Sequence, residues 1–143
     1  MWFNTPMAWI LRSPLHGLLS KSTVLVTVTG RKSGKKYSLP VNYVRDGEEL
    51  WVTSQRERTW WRNLQGGAPL EVVLEGKRLT AHGEAFVDEE AVVEGLRRYL
   101  GKSPQVARYF GVPLDADGKA DAQGLAQAAR ERVVVRIQMV KDV

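Results

Sequence analysis

"TVLVTVTGRKSGKKYSLPVNYVRDGEELWVTS", residues 23–54, decides the fold. Its first seven residues are mostly β-branched and too few for a stable helix, so 23–29 reads as a strand. "KYSLPVNYVR" (36–45) reads as a second strand. Pro40 has no N–H to give to a ladder, so this strand must lie at an edge, a bulge or a bend. Asp46-Gly47 supplies a turn and "ELWVTS" (49–54) a third strand. Short strands joined by short turns predict an antiparallel sheet that curls strongly or closes into a small barrel.

The connection between the first two strands is unusual in charge. "TGRKSGKK" (29–36) holds Arg31, Lys32, Lys35 and Lys36 with Gly30 and Gly34. Such a segment is either a hairpin tip kept soluble by charge or a socket for a phosphate. In the second case Arg31 forks onto the anion, the lysines add point charge and Ser33 offers a hydroxyl. The residues alone leave both readings open. Between Arg31 and Arg62 stand eight basic residues against four acidic ones, so cationic charge gathers on two neighbouring loops. The second loop, "SQRERTWWRNL" (54–64), carries Arg56, Arg58 and Arg62 around Trp60 and Trp61. Thr59 reads as an N-cap, with a short helix over 60–65 ended by Gly66. A helix start among arginines is a second candidate anion site, and a tryptophan there can stack on a flat ring or anchor the core.

Further strands are expected at 70–75, 78–87 and 132–140 ("RVVVRIQMV"). "DEEAVVEGLRRYLG" begins with acids and ends with arginines, matching a helix dipole. "SPQVARYFG" and "AQGLAQAARE" add two more helical segments, and "DADGKAD" between them is a turn rather than a calcium loop, since the spacing and closing glutamate are missing. Upstream, Thr5-Pro6 and Ser13-Pro14 start two short helical pieces over 6–12 and 14–21. Met7, Leu11, Leu15, Leu18 and Leu19 form an apolar stripe, which packs on the domain or, with Trp2, Trp9 and Arg12, touches a membrane surface. The expectation is one domain over 1–143: a helical segment at 1–21, core strands over 22–87, a helical region at 88–131 and a closing strand at 132–140. The class is α+β, mainly β, with an N-terminal helix and peripheral helices.

A 143-residue chain with a net charge of +5 suits an anionic partner. The absence of cysteine removes thiolate catalysis and zinc–thiolate sites. His16 and His82 are isolated, so neither general-base catalysis nor a metal site is expected, and no nucleophile elbow or Walker motif is present. No run approaches the roughly 18 apolar residues of a membrane span, and a cytoplasmic protein is expected. No aromatic-on-strand pattern for RNA occurs, and nucleic acid is not the expected partner.

In order, a strand, "TGRKSG", a strand with "LPVNYVRDG", a third strand, a basic loop and "WWRNL" resemble the deazaflavin-dependent nitroreductase family. These are split β-barrel proteins related to FMN-binding oxidoreductases. The resemblance spans about residues 10–87 and is loose beyond. It implies the deazaflavin coenzyme F420, with its phosphate and acidic tail in a basic groove. By position it implies Arg31, Lys32, Ser33 and Gly34 around the phosphate, and Arg56 as the basic residue after the third strand. Pro40, Val41 and Asn42 would neighbour the ring, and Trp60, Asn63 and Leu64 would carry the W-x-x-N-L helix. The chain departs from the family in "RER" (56–58), where a lysine followed by glycines is usual, and in "QVARYFGVPLDADG" (105–118), which replaces an aromatic segment over the substrate. The implied activity is hydride transfer from reduced deazaflavin to a small, hydrophobic, electron-poor acceptor: a quinone, an enone or a nitro compound. The N-terminal helix with Tyr109 and Phe110 would shape the acceptor pocket. The product proton would come from water, Tyr43 or Tyr109. The rivals are an FMN-binding reductase on the same barrel and a non-enzymatic lipid or tetrapyrrole carrier. A homodimer is the default assembly for such a barrel.

Overall fold

The computed structural model describes residues 23–140. The helical pieces expected at 6–12 and 14–21, and the membrane contact assigned to them, lie outside the described residues. Within them run β1 (Thr23–Thr29), β2 (Lys36–Asn42), β3 (Val44–Asp46) and β4 (Glu49–Gln55), then a 3-10 turn (Trp60–Leu64). Next come β5 (Ala68–Leu74), β6 (Lys77–Phe86), α1 (Glu89–Lys102), a second 3-10 segment (Pro104–Phe110), α2 (Ala122–Glu131) and β7 (Arg132–Met139).

The seven strands form one antiparallel sheet in the order β2-β1-β5-β6-β7-β4-β3. β2 and β3 therefore stand at opposite edges, yet only Tyr43 separates them along the chain. The sheet must curl until its two edges meet at Tyr43. The single strand expected over 36–45 is thus two. Val44–Asp46 pairs with β4 (Val44 opposite Trp51), while Lys36–Asn42 leaves that ladder and pairs along its whole length with β1 (Asn42 opposite Thr23). Beyond Tyr43 the edges of β2 and β4 part, and the barrel is split there. Pro40 lies opposite Leu25 of β1 and, among the described residues, has no strand on its other side, an edge position that suits a residue without an N–H.

Strand alternation divides the core in two. Val24, Val26 and Val28 of β1, Leu39 and Val41 of β2, Leu50 and Val52 of β4, and Val133, Val135 and Ile137 of β7 point into the barrel. Trp60, Trp61 and Leu64 fill it from the 3-10 turn. On the outer face, Trp51 of β4 and Val134 of β7 meet a helical layer of Val92, Leu96, Tyr99 and Leu100 from α1 and Leu125, Ala128 and Ala129 from α2. Because β7 is covered on both faces, its sequence reads as an apolar run rather than as clean alternation. Asp88 caps α1 by accepting from the Ala91 amide (3.1 Å), and Asp121 caps α2 by accepting from the Gly124 amide (2.8 Å).

Thr59 does not cap. Its backbone is helical (φ −111°, ψ −14°) rather than extended, its side chain makes no cap bond, and the five residues after it form only a 3-10 turn. The anion site expected at a helix N-terminus is therefore not formed here.

Gly83 marks the tightest contact inside the barrel. A Cβ at this position would stand 2.3 Å from Leu70 Cδ2 and 3.2 Å from Leu64 Cδ1. Gly83→Val is expected to destabilise the fold by about 1–3 kcal/mol through overpacking, read as a lower urea midpoint with an unchanged slope.

Candidate active site

Where β2 and β4 part there is a cleft of about 370 Å³, within the size range of small-molecule sites. One side is Pro40, Val41 and Asn42 with Thr23, and the facing side is Thr53, Ser54 and Gln55. Trp60 lies at its base, its indole N–H donating to Ser54 Oγ (3.1 Å). The helical layer supplies Tyr99 and Phe110, whose ring centres are 5.9 Å apart. Two cations, Arg58 and Arg132, complete the lining. Among the described residues neither Pro40–Asn42 nor Thr53–Gln55 bonds to a strand across the split. The cleft thus offers some backbone groups from two strand edges, though Pro40 has no N–H and the Gln55 carbonyl accepts from the Arg58 amide (3.2 Å), with an aromatic wall and positive charge.

The Arg132 guanidinium is half-buried. Its Nε donates to Thr53 Oγ1 (3.0 Å), and that hydroxyl donates in turn to the Val133 carbonyl (2.9 Å). Its central carbon lies 4.5 Å from the centre of the Phe110 ring. Burial lowers its pKa, with Tyr99 and Glu131 opposing. The Tyr99 hydroxyl is raised by burial and lowered in part by Arg132.

The cationic tip is a closed turn. The Gly30 amide donates to the Lys35 carbonyl (2.9 Å), and the Gly34 amide to the Gly30 carbonyl (2.8 Å). Gly34 sits at φ 71°, a conformation that glycine adopts without strain. Asn63 fastens the tip to the 3-10 turn. Its Oδ1 accepts from the Arg31 amide (3.1 Å), and its Nδ2 donates to the Tyr37 hydroxyl and to the Trp60 carbonyl (3.1 Å). The Arg31 guanidinium adds a bond to the Gln65 carbonyl. "GRKSG" and "WWRNL", far apart in sequence, are one structural unit.

The model for the F420H(2)-dependent quinone reductase family matches residues 13–105. The chain belongs to that family. Its members are oxidoreductases that depend on F420. No curated protein matches it. Among solved structures it resembles an F420-H2 dependent reductase, FDR-A, at 19% identity and a TM-score of 0.56, over 82% of this chain and 95% of that one. It also resembles a protein described as a domain-swapped dimer (19% identity, TM-score 0.53, 93% of this chain, 99% of that one). A third is the general stress FMN/FAD binding protein of Xanthomonas citri (14% identity, TM-score 0.55, 85% and 78%). These likenesses show the fold: a curled antiparallel half-barrel with helices, of the split β-barrel kind.

For this reductase, the ring neighbours expected from sequence, Pro40, Val41 and Asn42, come together in the cleft with Trp60 of the W-x-x-N-L segment. Arg31, Lys32, Ser33 and Gly34 do not line it; they form the exposed turn at the other end of β2. There Ser33 Oγ accepts from the Lys35 amide (3.2 Å), and the Gly30 and Gly34 amides are bonded within the turn as well. Asn63 is engaged in holding the turn. Arg56 is outside the lining too. Its guanidinium donates to the carbonyls of Ala129 (2.9 Å) and Val87 (2.5 Å), tying the end of α2 to the strand before α1. Tyr43 is buried in the barrel core, its pKa raised by burial and by Glu75, and lowered by Arg45. Tyr109 is 71% exposed, with Arg108 stacked 5.1 Å from its ring. The cleft instead holds Phe110 with Tyr99 and Arg132, two residues the sequence did not assign to the site, and Arg58 from the second basic loop.

Arg56→Met is expected to cost about 1.5–3 kcal/mol of stability, because it leaves carbonyls of the α2 end unpaired. F420 affinity is expected to stay within threefold of wild type. Chemical denaturation and fluorescence titration check the two outcomes.

Proposed function

We propose that the split between β2 and β4 is the coenzyme and acceptor site of an F420H2-dependent reductase whose acceptor is a quinone. The observation that carries this reading is the pair of open strand edges, Pro40–Asn42 and Thr53–Gln55, facing each other across an aromatic-walled cleft. A deazaflavin is flat, and its pyrimidine edge alternates N–H and C=O, the same groups a strand edge presents. Trp60 beneath and Phe110 beside it suit a planar ring.

The rest of the coenzyme is elongated and anionic. β2 spans six residue steps between Asn42 and Lys36, roughly 20 Å at strand rise. The ring site and the cationic tip are therefore separated by about the length of an extended tail. In this reading Arg58 lies beside the first anionic group. Arg31, Lys32, Lys35 and Lys36 hold the phosphate and acidic tail, with Ser33 and Gly34 shaping the turn that presents them. The residues present fit F420.

Bound F420H2 supplies the hydride. The chain supplies placement and dryness: the strand edges fix the ring, and Tyr99, Phe110 and Val41 keep water from the face where the acceptor lies. Among the described residues no paired acid and base line the cleft, which suits a reaction whose chemistry belongs to the coenzyme. An apolar ring with a carbonyl, the form of a quinone, matches the lining better than a cationic acceptor. Since Tyr43 and Tyr109 stand outside the cleft, neither has a part in this reading.

The test is to titrate the purified protein with F420 and with FMN by fluorescence quenching, then to supply F420H2 with menadione, a nitroimidazole or cyclohexenone. Binding of F420 at least tenfold tighter than FMN, with menadione reduced fastest, supports the reading. A yellow protein that purifies with FMN, or one that binds neither, overturns it.

A further inference from the structure

The cleft contains one group that coenzyme binding does not account for. Arg132 starts β7, on the side of the cleft formed by the helical layer and β4, away from Pro40–Asn42. Its guanidinium is half-buried and forms no ion pair among the described residues. A buried cation is costly, and native proteins pair it unless another role retains it. The Arg132 guanidinium is also immobilised twice, by the bond from Nε to Thr53 Oγ1 and by the Phe110 ring 4.5 Å away. The hydrogen bond engages Nε, and Arg132 lines the cleft. This is the arrangement of a preorganised electrostatic group: fixed in place, half-buried and outside any ion pair among the described residues.

We propose that Arg132 is a catalytic residue of the reductase, donating from its terminal nitrogens to the acceptor oxygen on which hydride transfer places negative charge. The inference rests on the reading of the cleft as coenzyme and acceptor site. In the step, a C–H bond of F420H2 breaks and its electron pair passes with the hydrogen to the quinone. The quinone is reduced to the hydroquinone monoanion and F420H2 is oxidised. The new charge gathers on a quinone oxygen, where the guanidinium meets it. A proton from water then completes the hydroquinone, and the coenzyme releases its own remaining proton to solvent as F420. Arg132 itself exchanges no proton, since a guanidinium stays charged throughout. Burial lowers its pKa. Thr53 and Phe110 are positioning residues for it.

The experiment compares wild type, Arg132→Lys and Arg132→Met, each with F420 affinity by fluorescence and steady-state kinetics with F420H2 and menadione. Loss of one preorganised donor costs on the order of a hundredfold in kcat. Arg132→Met is expected to show that loss, with KM for menadione and Kd for F420 within threefold of wild type. Arg132→Lys keeps the charge but loses the Thr53 and Phe110 clamp, so it should recover part of kcat. Phe110→Leu, which frees the guanidinium without removing it, should lower kcat several-fold and keeps the proposal falsifiable if Arg132→Met does not fold. A kcat for Arg132→Met within threefold of wild type overturns the proposal. So does a fall in F420 affinity that accounts for the lost rate, since that would place Arg132 on the coenzyme. Wild-type F420 affinity, from the same titration, reports separately on the reading of the cleft.

Discussion

Trp60→Ala is expected to be the most damaging single substitution in the barrel. Trp60 is buried, fills the barrel end from the 3-10 turn and lies at the base of the cleft. Truncating a buried tryptophan costs about 3–5 kcal/mol through lost transfer energy and the cavity left behind. For a protein of this size that lowers Tm by on the order of 10 °C. The same change removes the surface on which a flat ring would rest, so F420 affinity should fall with stability. Trp60→Phe separates the two effects. It keeps an aromatic floor but leaves Ser54 Oγ without the indole donor now 3.1 Å away, a loss of about 1 kcal/mol. F420 binding should survive Trp60→Phe and fail in Trp60→Ala. Calorimetry and fluorescence titration of the two variants check this.

The second large effect is expected at the cationic tip. Reversing two charges, with Arg31→Glu and Lys32→Glu together, removes two charge-assisted contacts of about 1.5–3 kcal/mol each and adds repulsion. F420 affinity should drop by at least about a hundredfold. Arg31 also bonds the Gln65 carbonyl and, through its amide, Asn63, so some stability is lost with it. Lys32→Glu alone avoids that complication, because Lys32 is exposed. It should weaken F420 roughly tenfold while leaving the unfolding midpoint almost unchanged. Wild-type affinity should fall as salt rises, and less steeply in the double variant. Unchanged affinity in both variants would place the coenzyme's tail elsewhere.

The strands and both α-helices were legible because their signals are local. "TVLVTVT", "RVVVRIQM" and the acid-first, base-last pattern of "DEEAVVEGLRRYLG" each announce one element. The split came only with the family resemblance, and the point where it opens was not legible. "KYSLPVNYVR" runs on without a break in composition, and nothing in Asn42-Tyr43-Val44 states that the pairing partner changes at Tyr43. Pro40 marked an edge, but which strand turned away depended on the pairing of β4 with β7, from Glu49 opposite Gln138 to Gln55 opposite Arg132. The same separation in sequence hid half of the cleft. Pro40–Asn42 and Trp60 lie in the segment with a recognisable pattern. Tyr99, Phe110 and Arg132 come from three later segments and meet there only because β7 returns between β6 and β4. Arg132 did carry a faint signal: an arginine opening a strand whose next three residues are buried valines. Arg56 and Arg58 could not be told apart by sequence. One turns back to the carbonyls of Val87 and Ala129, and the other faces the cleft.

The most direct measurement is a crystal structure of the protein with F420. A deazaflavin ring lying between Pro40–Asn42 and Thr53–Gln55, with its phosphate and acidic tail running along β2 toward Arg31 and Lys32, is the predicted result. A ring bound in the groove over Thr27, Glu71 and Thr80, or beneath α1 against Trp51 and Phe86, with the split between β2 and β4 left to water, would contradict it.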